Sequence, residues 1–160
     1  MPYQLLWMVP DRVLYDSQWG DVTPDEVHDL TTHIADLLDE AYKKNLGVVV
    51  AIMDMREANM AHLVQSHSPT GIRRITDAID PRIWKVRQGF TILITNRKHI
   101  QIIISIITKL FAQPLTTVGN FDEAVMVAKT MYPELREQLD PWEGADPFVG
   151  EQTRITDQIE

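Results

Sequence analysis

The sequence predicts an α/β fold, in which a mixed sheet with an N-terminal β-hairpin is flanked by helices. Two continuous apolar runs, "GVVVAIM" (47–53) and "GFTILITN" (89–96), are typical of strands that are buried on both faces. Segments with helical spacing of apolar residues separate and follow these runs. The predicted order is therefore ββ-α-β-α-β-α-β-α, which implies parallel strands covered by helices.

The N-terminal elements are the clearest. Residues 3–9 and 12–19 are rich in aromatic and aliphatic side chains, and a short connection between them predicts a β-hairpin. Thr23 then begins a long amphipathic helix. Glu26 completes a capping box with Thr23, and Pro24 suits the first helical position.

The middle of the chain predicts two further helices. Residues 58–66 can form a short one after the strand 47–53. Ser68 and Pro69 then supply the cap and the first position of a second helix, which ends near Asp80.

An isoleucine-rich segment, "RKHIQIIISIITKLFA" (97–112), predicts a helix although isoleucine favours strands. It is too long for a typical strand, and its polar residues fall on one arc at 100° per residue. The apolar arc spans about 200°, whereas a helix that covers one sheet face needs only about 100°. Ile102 and Ile106 are the surplus, and we expect a neighbouring helix, a second copy of the chain or an apolar ligand to cover them.

The last elements are a short strand, "LTTVG" (115–119), and a helix that Asn120 caps. We expect a single domain over residues 1–139. Residues 140–160 are acidic and predict a flexible tail, with Trp142 and Phe148 as candidate anchor points.

Three stretches, "WGDVTPDEV", "VVVAIMD" and "NFDEAVMVA", together with the element order, resemble the STAS domain over about residues 3–139. The chain is similar in particular to sporulation anti-sigma-factor antagonists. The resemblance implies a mixed sheet flanked by helices, and a protein-interaction or regulatory role without enzymatic activity. Signalling members carry an Asp-Ser-(Ser or Thr)-Gly turn that a kinase phosphorylates. Here Asp54 matches the aspartate but Met55 follows it, so the phosphoswitch is not expected.

Polar residues follow two predicted parallel strands at their carboxyl ends, where open α/β sheets bind ligands. They form a candidate ligand rim of Asp54, Arg56, Asn59 and Asn96. The alternative is that Asp54 caps a loop while Arg56 and Glu57 are solvated.

Charge is unevenly distributed along the chain. The net charge of −8 argues against a nucleic-acid-binding protein. Residues 73–98 are nevertheless basic, and Arg97 and Lys98 lie at a predicted helix N-terminus, where the helix dipole disfavours cations. A bound anion, an acidic partner or the acidic tail would offset this unfavourable interaction with the dipole. The alternative is that the basic residues form a solvated face. The predicted interaction residues are Ile102, Ile106, Arg73, Arg74, Arg97 and Lys98.

Several functional classes lack their signatures. The sequence has no cysteine, which is compatible with the cytoplasmic location that we expect, and no signal peptide or membrane-spanning stretch is predicted. Nucleotide-binding loops and hydrolase or zinc-protease motifs are missing. His62 and His67 are spaced by five residues with no carboxylate beside them, so no metal site is predicted. No cofactor and no catalytic residue is expected.

Two functions are favoured by the sequence, and a third, an enzyme, would need a pocket that holds Asp54 or Glu57 with a strongly raised pKa. The first is a STAS-like regulatory or interaction module, homodimeric and acting on a partner protein. The alternative is a domain that binds or senses an apolar small molecule beside the isoleucine-rich helix, with Met53, Met55 and Met60 near the pocket mouth.

Overall fold

The computed structural model describes residues 2–44, 47–60, 69–85 and 88–148. Within these ranges the strands are β1 (Tyr3–Val9), β2 (Val13–Asp21), β3 (Val49–Asn59), β4 (Gln88–Ile94) and β5 (Leu115–Val118). The helices are α1 (Pro24–Lys43), α2 (Pro69–Ala78), α3 (Arg82–Lys85), α4 (Lys98–Leu110), α5 (Phe121–Met131) and α6 (Arg136–Leu139). Short 3-10 turns cover Pro133–Leu135 and Asp140–Trp142. The predicted fold class and element order are confirmed.

The five strands form one mixed sheet in the order β1-β2-β3-β4-β5. The pair β1–β2 is antiparallel, as the predicted hairpin requires, and the other pairs are parallel. Because successive parallel strands are added on one side and crossovers are right-handed, the connecting helices are expected on a single face. Helices α1 to α4 indeed pack on one face, while α5 and α6 cover the other.

Each face of the sheet has its own core. Tyr15, Ile52 and Ile92 point toward α5, where the Phe121 ring meets the Tyr15 ring edge-on at 5.6 Å. On the opposite face, Leu14 packs against α1. Successive strand residues therefore serve different cores, as the two-residue repeat of a strand dictates.

Strand β3 is longer than predicted. The expectation that it ends at Met53, with a polar loop after it, is wrong, because β2 continues beside it as far as Asp21. Asp54 therefore lies within the strand, between Ser17 and Ile94, and is fully buried. Residues 58 and 59, the first two of the predicted short helix (58–66), instead belong to β3. Residues 61–66 and the predicted cap Ser68 lie outside the described residues.

The isoleucine-rich segment is helical, as predicted, and forms α4. Its buried side is made of Ile100, Ile103, Ile104 and Ile107. Ile106 is half-buried, whereas Ile102 is 61% exposed, so the surplus apolar surface on α4 remains accessible in this structure.

The first part of the predicted tail contacts the domain. Trp142 Nε1 donates a hydrogen bond of 2.9 Å to the Met8 carbonyl, and Lys129 pairs with Asp140 and Glu143. Residues 140–148 therefore contact the domain, and Trp142 is one of the two predicted anchor points. Residues 149–160 lie outside the described part of the chain.

Candidate functional site

A cavity of about 110 Å³ lies between the sheet and helices α1, α2 and α4. Its wall is almost entirely apolar. The strands contribute side chains such as Leu14 and Ala51, and the helices contribute Leu30, Ile104 and Ile107. Native interiors contain few voids larger than a water molecule, so a cavity of this size is a feature to be explained.

Three methionines help to form this cavity. Met53 and Met55 point from β3 toward the helices, and Met60 follows the end of the strand. The sequence predicts these three side chains near a pocket beside the isoleucine-rich helix, and all three lie in the cavity wall. Unbranched thioether side chains adapt their shape to the molecule that they contact.

A carboxyl group interrupts the apolar wall. Asp16 alternates with Leu14 and Gln18 on the face of β2 that lines the cavity, and it is only 3% exposed. Asp16 Oδ2 accepts a hydrogen bond of 2.9 Å from Gln18 Nε2, whereas Oδ1 has no partner. Burial raises the pKa of Asp16 to about 7; the Gln18 hydrogen bond opposes this rise, and the Asp54 charge adds to it.

Two further polar side chains line the cavity near the end of α4. Thr108 Oγ1 donates to the Ile104 carbonyl at 2.9 Å, so its hydroxyl is used within the helix. Gln113 is held by its backbone N–H, which donates to the Thr108 carbonyl at 2.8 Å, but its Oε1 is buried and has no partner. Among the residues that the structure describes, the cavity wall thus carries two unpartnered oxygen atoms, Asp16 Oδ1 and Gln113 Oε1.

Two residues of the predicted ligand rim instead bind each other. Arg56 Nη2 lies 2.6 Å from Asp54 Oδ2, which also accepts a hydrogen bond of 2.8 Å from the Tyr15 hydroxyl. Arg56 Nη2 also lies 2.8 Å from Asp146 Oδ2, and the Phe148 ring stacks 4.7 Å from the guanidinium carbon. Burial, followed by the charge of Asp54, raises the pKa of the Tyr15 hydroxyl. The C-terminal segment therefore covers this end of the sheet, and Asp54 is engaged by protein groups.

The other two predicted rim residues lie apart from this network. Asn59 Nδ2 donates a hydrogen bond of 2.6 Å to Asp21 Oδ1, and together with Glu57 and Arg97 they line a shallow polar depression. Asn96 is exposed after the end of β4, where its Oδ1 approaches the backbone of Gly119. The four predicted rim residues therefore do not form one site.

The predicted basic interaction residues are exposed. Arg97 caps α4 without a side-chain capping bond, and its Nη1 donates to the Ala58 carbonyl at 2.7 Å. Lys98 is the first residue of α4, and Arg73 and Arg74 lie on α2. The described acids of the C-terminal segment that form ion pairs contact Lys129, Arg56 and Arg12 instead of these four residues.

No metal site or membrane span is found in the part of the chain that the structure describes. There, no three His, Asp or Glu side chains are grouped so that they could hold a metal ion. His62 and His67 fall outside that part. No described helix combines the length and apolar character needed to cross a bilayer.

Sequence reasoning missed Asp16, Gln18 and Gln113. The available signal was the alternation in "LYDSQ" (14–18), which places Asp16 and Gln18 on the same face of the strand as Leu14. Polar residues at this spacing ordinarily indicate a solvated face, and here the helices packed on this face of the sheet bury them.

Comparison with known proteins provides no relative. No protein-family model matches the chain, and neither a curated protein nor a solved structure resembles it.

Proposed function

We propose that this domain is a non-enzymatic binding or sensing module that takes up a small apolar molecule in the cavity between the sheet and α4. The observation that carries the proposal is the cavity itself, with its volume of about 110 Å³ and its wall of leucine, isoleucine and methionine side chains. An apolar cavity of roughly 150 Å³ accepts benzene. This cavity is smaller but partly open to solvent, so a short chain or a single ring that extends into its mouth suits it.

The energetics favour occupation. A ligand that fills the space removes its own apolar surface and that of the wall from water. Because it binds the folded state, it stabilises that state by an amount that grows with the logarithm of its concentration once the site is nearly saturated. A cytoplasmic location, with which the absence of cysteine is compatible, is part of the same proposal.

Thermal denaturation and calorimetric titration with toluene test the proposal. Toluene should raise the melting temperature of the wild-type protein and bind with a one-to-one ratio. Ala51→Leu, which fills part of the cavity from β3, should weaken this binding. Thr117→Leu is the matched control, because it adds bulk to an exposed position of β5 and should leave binding unchanged. If the wild-type protein binds neither toluene nor another apolar molecule of similar size, the proposal is excluded.

A second candidate function follows from the exposed stripe on α4, which consists of Ile102, Ile106 and Leu110. Ile102 and Leu110 are 61% and 64% exposed, and the spacing of four residues aligns all three on one side of the helix. Exposed apolar surface of this kind supports a homodimeric, STAS-like regulatory module that also binds a partner protein. The basic residues Arg97 and Lys98 lie at the start of the same helix.

Sedimentation velocity tests this second candidate. A wild-type dimer should dissociate in Ile102→Glu. Met126→Glu is the control, because Met126 is 66% exposed on α5 at the opposite face of the sheet and its substitution should leave the dimer intact. A wild-type protein that is monomeric at all accessible concentrations would rule the dimer out.

A further inference from the structure

The two unpartnered side-chain atoms among the described residues of the cavity wall are oxygens. Gln113 Oε1 is a hydrogen-bond acceptor, and Asp16 Oδ1 is an acceptor when the carboxyl group is ionised. Asp16 Oδ1 and Gln113 Oε1 are buried and have no hydrogen-bond partner. They belong to opposite sides of the cavity, because Asp16 is on β2 and Gln113 precedes β5, three strands away. A buried acceptor without a donor costs free energy, which a ligand can recover by supplying the donor.

We infer that the ligand of this cavity carries a hydrogen-bond donor, a hydroxyl or an ammonium group, on a small apolar body and directs it at Asp16 Oδ1. This inference rests on the proposed function and narrows its ligand class. The orientation of the Asp16 carboxyl group suits this role, because Gln18 Nε2 donates a hydrogen bond of 2.9 Å to Oδ2 and Oδ1 has no partner.

The wall also selects against anions. Asp16 is the one ionisable group among the described lining residues, and α1, α2 and α4 face it with uncharged side chains. The charged neighbour Asp54 is on β3, on the opposite face of the sheet, and is itself acidic. A carboxylate ligand would therefore meet only negative charge, whereas an ammonium group would offset it.

Water alone is a poor occupant of this position. A buried water requires about three hydrogen bonds, and most of the cavity wall consists of aliphatic and methionine side chains, which offer none. A ligand that combines one donor with an apolar body satisfies both the oxygen and the wall.

Four probes of similar size separate the possibilities: toluene, benzyl alcohol, benzylamine and benzoate. The inference predicts that benzyl alcohol or benzylamine binds about tenfold more tightly than toluene, and that benzoate binds most weakly. An ammonium ligand is distinguished from a hydroxyl ligand by pH, because benzylamine should gain affinity between pH 6 and pH 8 as Asp16 ionises, while benzyl alcohol should change less.

Substitutions at Asp16 identify the acceptor. Asp16→Leu should abolish the preference over toluene while toluene still binds, and Asp16→Asn should remove the pH dependence of benzylamine binding. Thr130→Val is the control, because the Thr130 hydroxyl is bonded to the Met126 carbonyl on α5, over the opposite face of the sheet, and its loss should leave the preference unchanged. If Asp16→Leu does not fold, Asp16→Asn carries the test.

The outcomes distinguish the donor inference from the proposal that the cavity binds a small apolar molecule. Toluene that binds as tightly as both donor-bearing probes, or a preference that persists in Asp16→Leu, overturns the donor inference and leaves the cavity proposal standing. Failure of all four probes to bind overturns both.

Discussion

Arg56 Nη2 lies 2.8 Å from Asp146 Oδ2, so the middle strand of the sheet is connected to the C-terminal segment by an ion pair. The same guanidinium donates to Asp54, whose side chain is fully buried. Arg56 therefore has two functions in the fold, since it neutralises an interior carboxylate and also holds the chain that covers it.

The two ion pairs of Arg56 should differ strongly in energy. Arg56→Ala leaves the buried Asp54 carboxylate without its cation and should lower the free energy of unfolding by roughly 3–5 kcal/mol. Asp146→Ala removes a partner whose side chain is 38% exposed and should cost at most about 1 kcal/mol. Urea denaturation of both variants at pH 7 measures the difference. Equal losses in the free energy of unfolding would contradict the expectation that the pair with Asp54 is the stronger one.

The Tyr15 hydroxyl should contribute measurably to stability. It donates to Asp54 Oδ2 at 2.8 Å inside the core, so Tyr15→Phe removes one of the bonds of a buried carboxylate and should cost about 1.5–3 kcal/mol. Tyr3→Phe is the matched control, because the Tyr3 hydroxyl is at the surface, 3.4 Å from His33 Nδ1, and its loss should cost less than about 0.5 kcal/mol. Chemical denaturation compares the pair, and similar costs would refute the role given to the buried bond.

Asp16 should make the folded state less stable as the pH rises. Its pKa increases from 3.8 to about 7 on folding, so the folded state retains a proton that the unfolded state has lost between these values. The contribution of Asp16 to the free energy of unfolding should therefore be most favourable below pH 4. It should fall by up to about 4 kcal/mol as the pH rises to 7 and stay constant above pH 7. Asp16→Asn should remove this part of the pH dependence and stabilise the protein at pH 8. A variant with the same slope as the wild type would show that Asp16 does not titrate in this way.

Trp142 should hold the C-terminal segment against the first strand. Trp142→Phe loses the 2.9 Å hydrogen bond to the Met8 carbonyl, with a cost of about 1 kcal/mol, and should make residues 143–148 more susceptible to limited proteolysis. Gln138→Ala, at an exposed position of the neighbouring helix α6, is the control and should leave the cleavage pattern unchanged. Unaltered cleavage in Trp142→Phe would mean that the segment is held by other contacts.

Local signals in the sequence were sufficient for the helix starts. Thr23 and Asn120 each accept a hydrogen bond from the backbone three residues later, as their capping patterns predict, because these bonds depend only on neighbouring residues. The end of β3 could not be predicted in this way. It is set by β2, which continues beside it to Asp21, and no local pattern contains that information.

The candidate site shows the same limit. The sequence predicts a pocket beside α4 with three methionines near it. This is possible because the wide apolar arc of the isoleucine-rich helix and the flexible methionine side chains can be recognised along the chain. Asp16 could not be recognised, since a carboxylate in a strand usually faces solvent. Its burial depends on how α1 crosses the sheet, which is a property of the tertiary structure.

The strand order follows the order of synthesis, so each new strand can pair with one that the ribosome has already released. The face formed by Tyr15, Ile52 and Ile92 is different, because its cover, α5, is made after every strand. During translation this apolar surface is exposed to solvent until Phe121 and the rest of α5 have been synthesised. It is therefore the surface through which a nascent chain would aggregate or bind a chaperone.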